Sequence, residues 1–271
     1  MKVRFDVYPD VYAFRESITT RRNTGKLSNE SQTAGSDWAG MPYEQAVKAL
    51  TEGVPADVER MKKDVAEFTA KTLPATKHRP KNHYYGRSPN VPAAIIGLPK
   101  SMRYTERVPQ KSKIVTLIYS MGALSDVSAE DLTNAACAAV KLAAYLEVNG
   151  YRVNLYSCPS MAEHSGEVAA CIIKLKDSKQ PLDIAKLSFS MGNVAMFRRL
   201  GFRWRETCPT ITGYWGSMYG ATIYEHGKAL KVLQEMGIST ENTHYFNMKD
   251  CKRAGFDAVK LAANLGIIKG E

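Results

Sequence analysis

The chain has 271 residues, 44% of them hydrophobic and 24% charged, which excludes wholesale disorder, collagen-like repeats and low complexity. Its formal net charge is +10, and the excess is local. Between Lys71 and Lys113 ten Lys and Arg residues meet one acid, Glu106, so these 43 residues carry +9 and the other 228 carry +1.

Residues 1 to 73 read as a mainly helical N-terminal module. An alternating segment, Val3 to Tyr8, fits a short strand. A polar run from Asn23 to Asp37 reads as loop. Pro42 suits the first turn of a helix over Tyr43 to Leu50, which stops at Gly53. A second helix is expected from Ala56 to Leu73. Its Val58, Met61, Val65, Phe68 and Thr72 recur at three- and four-residue spacing, and Pro74 ends it.

Residues 74 to 113 hold six of the twelve prolines and show no helical period, so they read as a basic extended arm or linker. Ile95, Ile96 and Leu98 suggest that part of the arm lies against a core.

An α/β core follows from 114 to 271. Ile114 to Tyr119 is an apolar, β-branched run of the kind buried on both faces of a parallel sheet. Ser128, with Asp131 three residues later, caps a helix to Val148 that Gly150 stops. Tyr151 to Tyr156 completes a βαβ unit, and Val168 to Leu175 returns as a hairpin-like strand. Helices are expected over Asn193 to Leu200, Ile223 to Met236 and Lys249 to Leu265, with a strand at Thr243 to Phe246. The repeated switch between periods of two and 3.6 predicts a three-layer, Rossmann-like α/β core.

Recognisable catalytic or cofactor motifs are missing. Neither a Walker pattern nor G-x-G-x-x-G follows the first core strand, so no cofactor is expected, and no G-x-S-x-G elbow occurs. His78 and His83 have a tolerable zinc spacing but no paired cysteines precede them. Ser120-Met121-Gly122 and Ser190-Met191-Gly192 repeat as strand-to-turn tripeptides. Cys137, Cys158 and Cys171 read as small core residues. Five scattered cysteines and an N-terminus without an apolar signal core fit a reducing cytoplasm. No run of about eighteen apolar residues points to a membrane.

Basic and aromatic residues carry the functional reading. In the arm, Lys77, Arg79, Lys81, Arg87, Lys100, Arg103 and Arg107 offer phosphate contacts, while Tyr84 and Tyr85 offer rings for base stacking. The bland alternative is a solvated linker. A second segment runs from Phe197 to Arg205, where Arg198, Arg199, Arg203 and Arg205 alternate with Phe197, Phe202 and Trp204. It reads either as a nucleic-acid contact or as a helix end followed by an edge strand with Phe202 and Trp204 facing inward. The loop Gly213 to Gly220, with three rings, suits either stacking on a ligand or capping a core.

Several core motifs resemble a bacteriophage-encoded family. They are the Ile114–Tyr119 strand, Ala143-Ala144-Tyr145-Leu146-Glu147 and Asn149-Gly150-Tyr151-Arg152-Val153. Trp38-Ala39-Gly40 before the Tyr43–Leu50 helix, and Arg199-Leu200-Gly201-Phe202, add to them. The resemblance spans about residues 36 to 205, and its motifs are structural. The layout is also similar to a von Willebrand A domain, which carries Asp-x-Ser-x-Ser after its first strand. Here Tyr119-Ser120-Met121-Gly122-Ala123 lacks the aspartate and the second serine, so the resemblance implies a degenerate, metal-free version. In size and charge the chain resembles the podovirus single-stranded-DNA-binding activators that recruit a phage RNA polymerase.

The leading expectation is a non-enzymatic phage nucleic-acid-binding protein in the host cytoplasm. It would favour single-stranded DNA and serve transcription or replication, with a phage RNA polymerase or replication protein as partner. A virion or assembly component, or an enzyme acting on nucleotides or nucleic acid, are the alternatives.

Overall fold

The computed structural model describes residues 2–72, 78–107, 113–122, 128–164, 166–211 and 219–268. The N-terminal part runs β1 (Lys2–Tyr8), α1 (Val11–Thr20), α2 (Glu30–Thr33), α3 (Ser36–Ala39), α4 (Tyr43–Glu52) and α5 (Pro55–Lys71). The basic segment forms β2 (His78–His83), β3 (Ser88–Pro89), α6 (Val91–Ile95) and β4 (Met102–Arg107). The remainder begins with β5 (Ile114–Ser120), α7 (Ala129–Val148), β6 (Arg152–His164), β7 (Glu167–Lys176) and α8 (Ile184–Gly192). A π-helical stretch, Met196–Gly201, runs into α9 (Phe202–Thr207). The chain closes with β8 (Ala221–Thr222), α10 (His226–Glu235), β9 (Thr243–Asn247), α11 (Met248–Arg253) and α12 (Ala258–Asn264).

The central sheet has the order β1-β7-β6-β5-β9, with β8 added against β6. β5 pairs in parallel with β6 and with β9, and β1 pairs in parallel with β7. The hairpin of β6 and β7 is antiparallel, as is the β6–β8 pair. A mostly parallel sheet flanked by helices is an α/β fold compatible with a Rossmann-like layout. Most of β5 and β7 is buried on both faces, which is why they read as continuous apolar runs. Val115, Leu117, Tyr119, Ala169, Cys171 and Ile173 join one apolar cluster with α1, α4, α5, α7, α8, α9, α11 and α12. Ile118, Val168, Ala170 and Ile172 meet Ala229, Val232 and Leu233 of α10 on the other face.

Local sequence explains most boundaries. Ser128 Oγ accepts from the Asp131 amide and starts α7, and Asn247 and Asp250 form a reciprocal capping box on α11. The expected last helix is two helices, because the chain turns through Gly255 and Phe256 with positive φ and restarts on the Asp257 cap. Ser190-Met191-Gly192 ends helix α8 rather than a strand. Gly192 is a packing position, where an added Cβ would sit 3.0 Å from that of Ala136.

The boundary expected at residue 73 does not divide two cores. β1 is a strand of the central sheet, and the buried side chains of α1, α4 and α5 belong to the same apolar cluster as α7 and α8. The basic segment is not an extended arm either. Residues 78–107 form a second sheet of order β2-β4-β3, whose prolines, Pro80 and Pro89, lie on its two edge strands. Its central strand β4 has none. A proline cannot donate to a ladder, so prolines mark edges here rather than exclude strands.

The stretch from Arg21 to Pro42, with its two four-residue helices, is held by the buried Arg199. Its Nε donates to the Met41 carbonyl at 2.8 Å, Nη1 to Ser31 at 3.0 Å and Nη2 to Ala34 at 2.8 Å. A rigid fork with several donors suits three carbonyls better than an ammonium does. Arg199→Ala leaves all three acceptors without this donor, at a cost of about 3 kcal/mol. Urea unfolding should show that loss, with Arg199→Lys recovering only part of it. An unchanged midpoint in the alanine variant would contradict the clamp.

Candidate nucleic-acid interface

Residues 78 to 107 contain six Lys and Arg and one acid, Glu106, and the sheet they build has almost no core. Among its described side chains Ala93 alone is buried. The antiparallel register sets Lys81 opposite Tyr104, and His83 opposite Met102. Paired residues share a face and alternate along a strand, so Lys81, His83, Met102 and Tyr104 lie on one face. Asn82, Arg103 and Thr105 lie on the other.

The turn after β2 folds Tyr85 onto the first face. Its ring meets His83 at 4.2 Å and Tyr104 at 5.5 Å between centroids, and His83 meets Tyr104 at 5.5 Å. Gly86 makes this possible. Any Cβ there would stand 2.2 Å from the Arg103 carbonyl oxygen, and the same oxygen accepts from the Arg87 amide at 2.9 Å. Tyr85, Gly86, Arg87, Tyr104 and Thr105 line a shallow cleft of about 800 Å³. Tyr84 and Tyr85 are 65% and 63% exposed, and Lys100 Nζ sits 5.4 Å from the Tyr84 ring centre. Arg87, Lys100 and Arg103 are exposed and enter no ion pair among the described residues.

Sequence-predicted residues thus divide. Lys81, Tyr84, Tyr85, Arg87, Lys100 and Arg103 come together on this sheet. Arg79 and Arg107 belong to the paired strands β2 and β4, and Arg107 lies opposite His78. Lys77 lies outside the described residues. Two rings, His83 and Tyr104, were not anticipated. The period-two run Met102-Arg103-Tyr104-Thr105 was the available signal, obscured by the surrounding prolines.

The second segment is not an edge strand, and its Arg199, Trp204 and Arg205 are buried. Residues 196–207 are helical, and Arg199 and Arg205 serve the interior. Trp204 is fully buried, with Nε1 donating to Asp6 at 2.8 Å. Arg205 is buried and donates from Nε to Ser160 Oγ at 2.5 Å, and burial pulls its pKa down to about 10. Arg199 holds the carbonyls described above. Arg203 donates to the carbonyls of Ile18 and Arg21, both at 3.3 Å. Arg198 lies over the Trp38 ring at 4.5 Å and donates to the Trp38 carbonyl. Alternating charge and rings here mark a helix whose cations satisfy main-chain oxygens and, at Arg205, the Ser160 hydroxyl. The Gly213 to Gly220 loop lies outside the described residues except for Tyr219 and Gly220, and Tyr219 stacks on Phe202 at 3.8 Å.

A titratable pair elsewhere is accounted for by architecture. His226 Nε2 and Asp250 Oδ2 are 2.9 Å apart, but the same carboxylate oxygen accepts from the Asn247 amide. The pair joins α10 to the cap of α11.

One family shares this whole arrangement of sequence. The chain belongs to the family described as a domain of unknown function, DUF7192, whose model matches residues 2–268. No curated protein and no solved structure matches it. The match takes in both sheets, so the basic sheet lies within the family's domain rather than beside it. Among the described residues, no helix is long and apolar enough to cross a membrane.

In the α/β core, Glu206 is a buried carboxylate that accepts from the Ser31 amide at 2.9 Å and from Tyr219 at 2.5 Å. Burial is the main cause that raises its pKa, against those hydrogen bonds. A raised carboxylate favours folding below its unfolded pKa and loses that contribution as pH rises through the folded value. The stability of wild type relative to Glu206→Gln should therefore grow as pH falls from neutrality, levelling near the ordinary carboxylate value of about 4.3. Urea unfolding across that range checks it, and a flat difference would remove the shift.

Proposed function

We propose that this chain is a non-enzymatic nucleic-acid-binding protein that holds single-stranded DNA on the β2-β4-β3 sheet. One observation carries the reading: six Lys and Arg against the single acid Glu106, and exposed rings without a core, share a single small sheet. Phosphates take the guanidinium and ammonium groups, and unpaired bases take ring faces, a combination tolerant of sequence. Duplex bases hide their faces in the stack, so accessible rings favour the single strand.

The setting proposed is a phage one, with the protein acting as an accessory factor in transcription or replication beside a phage RNA polymerase or replication protein. The resemblance of its core motifs to phage-encoded proteins supports this. A degenerate, metal-free von Willebrand A-like core belongs to the same proposal. Its support is the position of β5 inside the sheet, between β6 and β9.

Five to seven phosphate contacts give a slope of about −4 to −5 in log K against log salt, at roughly 0.7 per contact for single strands. Replacing Lys81, Arg87, Lys100 and Arg103 by Gln should make the slope shallower by about 3. Tyr84→Ala with Tyr85→Ala should weaken single-strand binding at least tenfold, since stacking contributes about 1–3 kcal/mol per base. The slope and the unfolding midpoint should stay unchanged in that variant. Fluorescence anisotropy with labelled single- and double-stranded oligonucleotides over a salt series reads all three. A flat salt response in the wild type would end the proposal.

A further inference from the structure

The tip of the basic sheet carries a feature that phosphate binding and ring stacking leave unused. Ile95 and Ile96 are 78% and 72% exposed, and Val91 and Leu98 are exposed beside them. Six of the exposed large apolar side chains lie between residues 84 and 98, and the four aliphatic ones are all on α6 and the turn after it. Exposed aliphatic groups gathered in this way mark a contact surface.

Their exposure is built into the backbone. The Asn90 amide donates to the Ser101 carbonyl at 2.7 Å and closes the base of the tip. Asn90 Nδ2 donates to Asn82 Oδ1 at 3.1 Å and ties it to β2. At the end of α6 the Leu98 amide donates to Ala93 and the Gly97 amide to Ala94. Gly97 takes a φ of 73° that permits this reversal. Pro92 and Pro99 stiffen the two sides. Ala93 packs inward, and the larger aliphatic groups are left outside.

We infer that this aliphatic tip is a wedge that enters a base step of DNA where a duplex meets a single strand. The occupant follows from charge. The tip rises from a sheet, residues 78 to 107, in which six Lys and Arg stand against the single acid Glu106. A second copy of the same surface is repelled, whereas a polyanion is drawn in. Branched aliphatic side chains offer no flat face for a free base, but they fill the gap between bases that have been unstacked. A rigid tip does this without the ordering cost of a loose loop. Rings on the sheet then hold the strand that has left the duplex. The inference rests on the nucleic-acid reading above and adds a preference for forked DNA.

The test uses the full chain and a duplex with a single-stranded tail, with 2-aminopurine at the last paired position. Anisotropy of a second label on the same DNA reports binding. Wild type should raise the 2-aminopurine emission several-fold at saturation. Ile95→Ser with Ile96→Ser should still bind, with the same salt slope, and lose the rise. These side chains are exposed, so the variant keeps its unfolding midpoint. Bound wild type with no rise, or an equal rise in the double variant, overturns the wedge and assigns the aliphatic tip to a protein partner. Absence of binding in every arm overturns the wedge together with the reading beneath it.

Discussion

A single guanidinium sets how the N-terminal part of the chain is held. Arg199 reaches the carbonyls of Ser31, Ala34 and Met41 from inside the fold, and the regular elements of that stretch are the four-residue helices α2 and α3. Buried carbonyls must find donors. A segment rich in Ser, Thr, Asn and Gly can supply turns but little apolar surface to anchor itself. Neighbouring residues repeat the solution. Arg203 serves Ile18 and Arg21, and Glu206 receives Ser31 and Tyr219. Asp6 on β1 takes both Trp204 and Arg21. The helical stretch 196–207 is thus a polar spine between the first forty residues and the central sheet.

That spine explains why part of the site was misread in the sequence. Arginines alternating with rings have the same pattern whether they face phosphate or carbonyl oxygen. The difference lies in contacts 45 to 198 positions away in the chain, which no local spacing encodes. Trp204 and Arg205 are the clearest cases, both buried against β-strand partners, Asp6 and Ser160. By contrast, the charge run from 71 to 113 was legible because it is a composition signal. Such a signal survives whatever conformation the segment takes.

Elements with a period were legible too. β5, α7, β6, β7 and β9 lie within a few residues of expectation, except that β6 runs on to His164. Apolar residues at fixed spacing bury themselves in only a few ways. The second sheet was hidden for the opposite reason. Its strands bury almost nothing, so they carry no hydrophobic period, and Pro80 and Pro89 suggested an irregular chain. What holds it is the backbone ladder of β4 with its two edge strands, together with Asn90 at the base of the tip.

A sheet without a core has a consequence for how its residues divide their tasks. In the central sheet every large side chain contributes to folding, so altering one alters stability. In the β2-β4-β3 sheet the rings and cations contribute little to folding, because they remain in water on one side or both. Their free energy is available for a ligand instead. The charge distribution follows the same division, with +9 in the basic segment and +1 in the remainder. Like charges packed onto one small sheet repel one another, a cost that native proteins keep low when nothing is gained by it. A polyanion relieves that repulsion. On the proposed reading, binding of a polyanion would couple to the ordering of this sheet through electrostatics, while the α/β core keeps its own buried contacts.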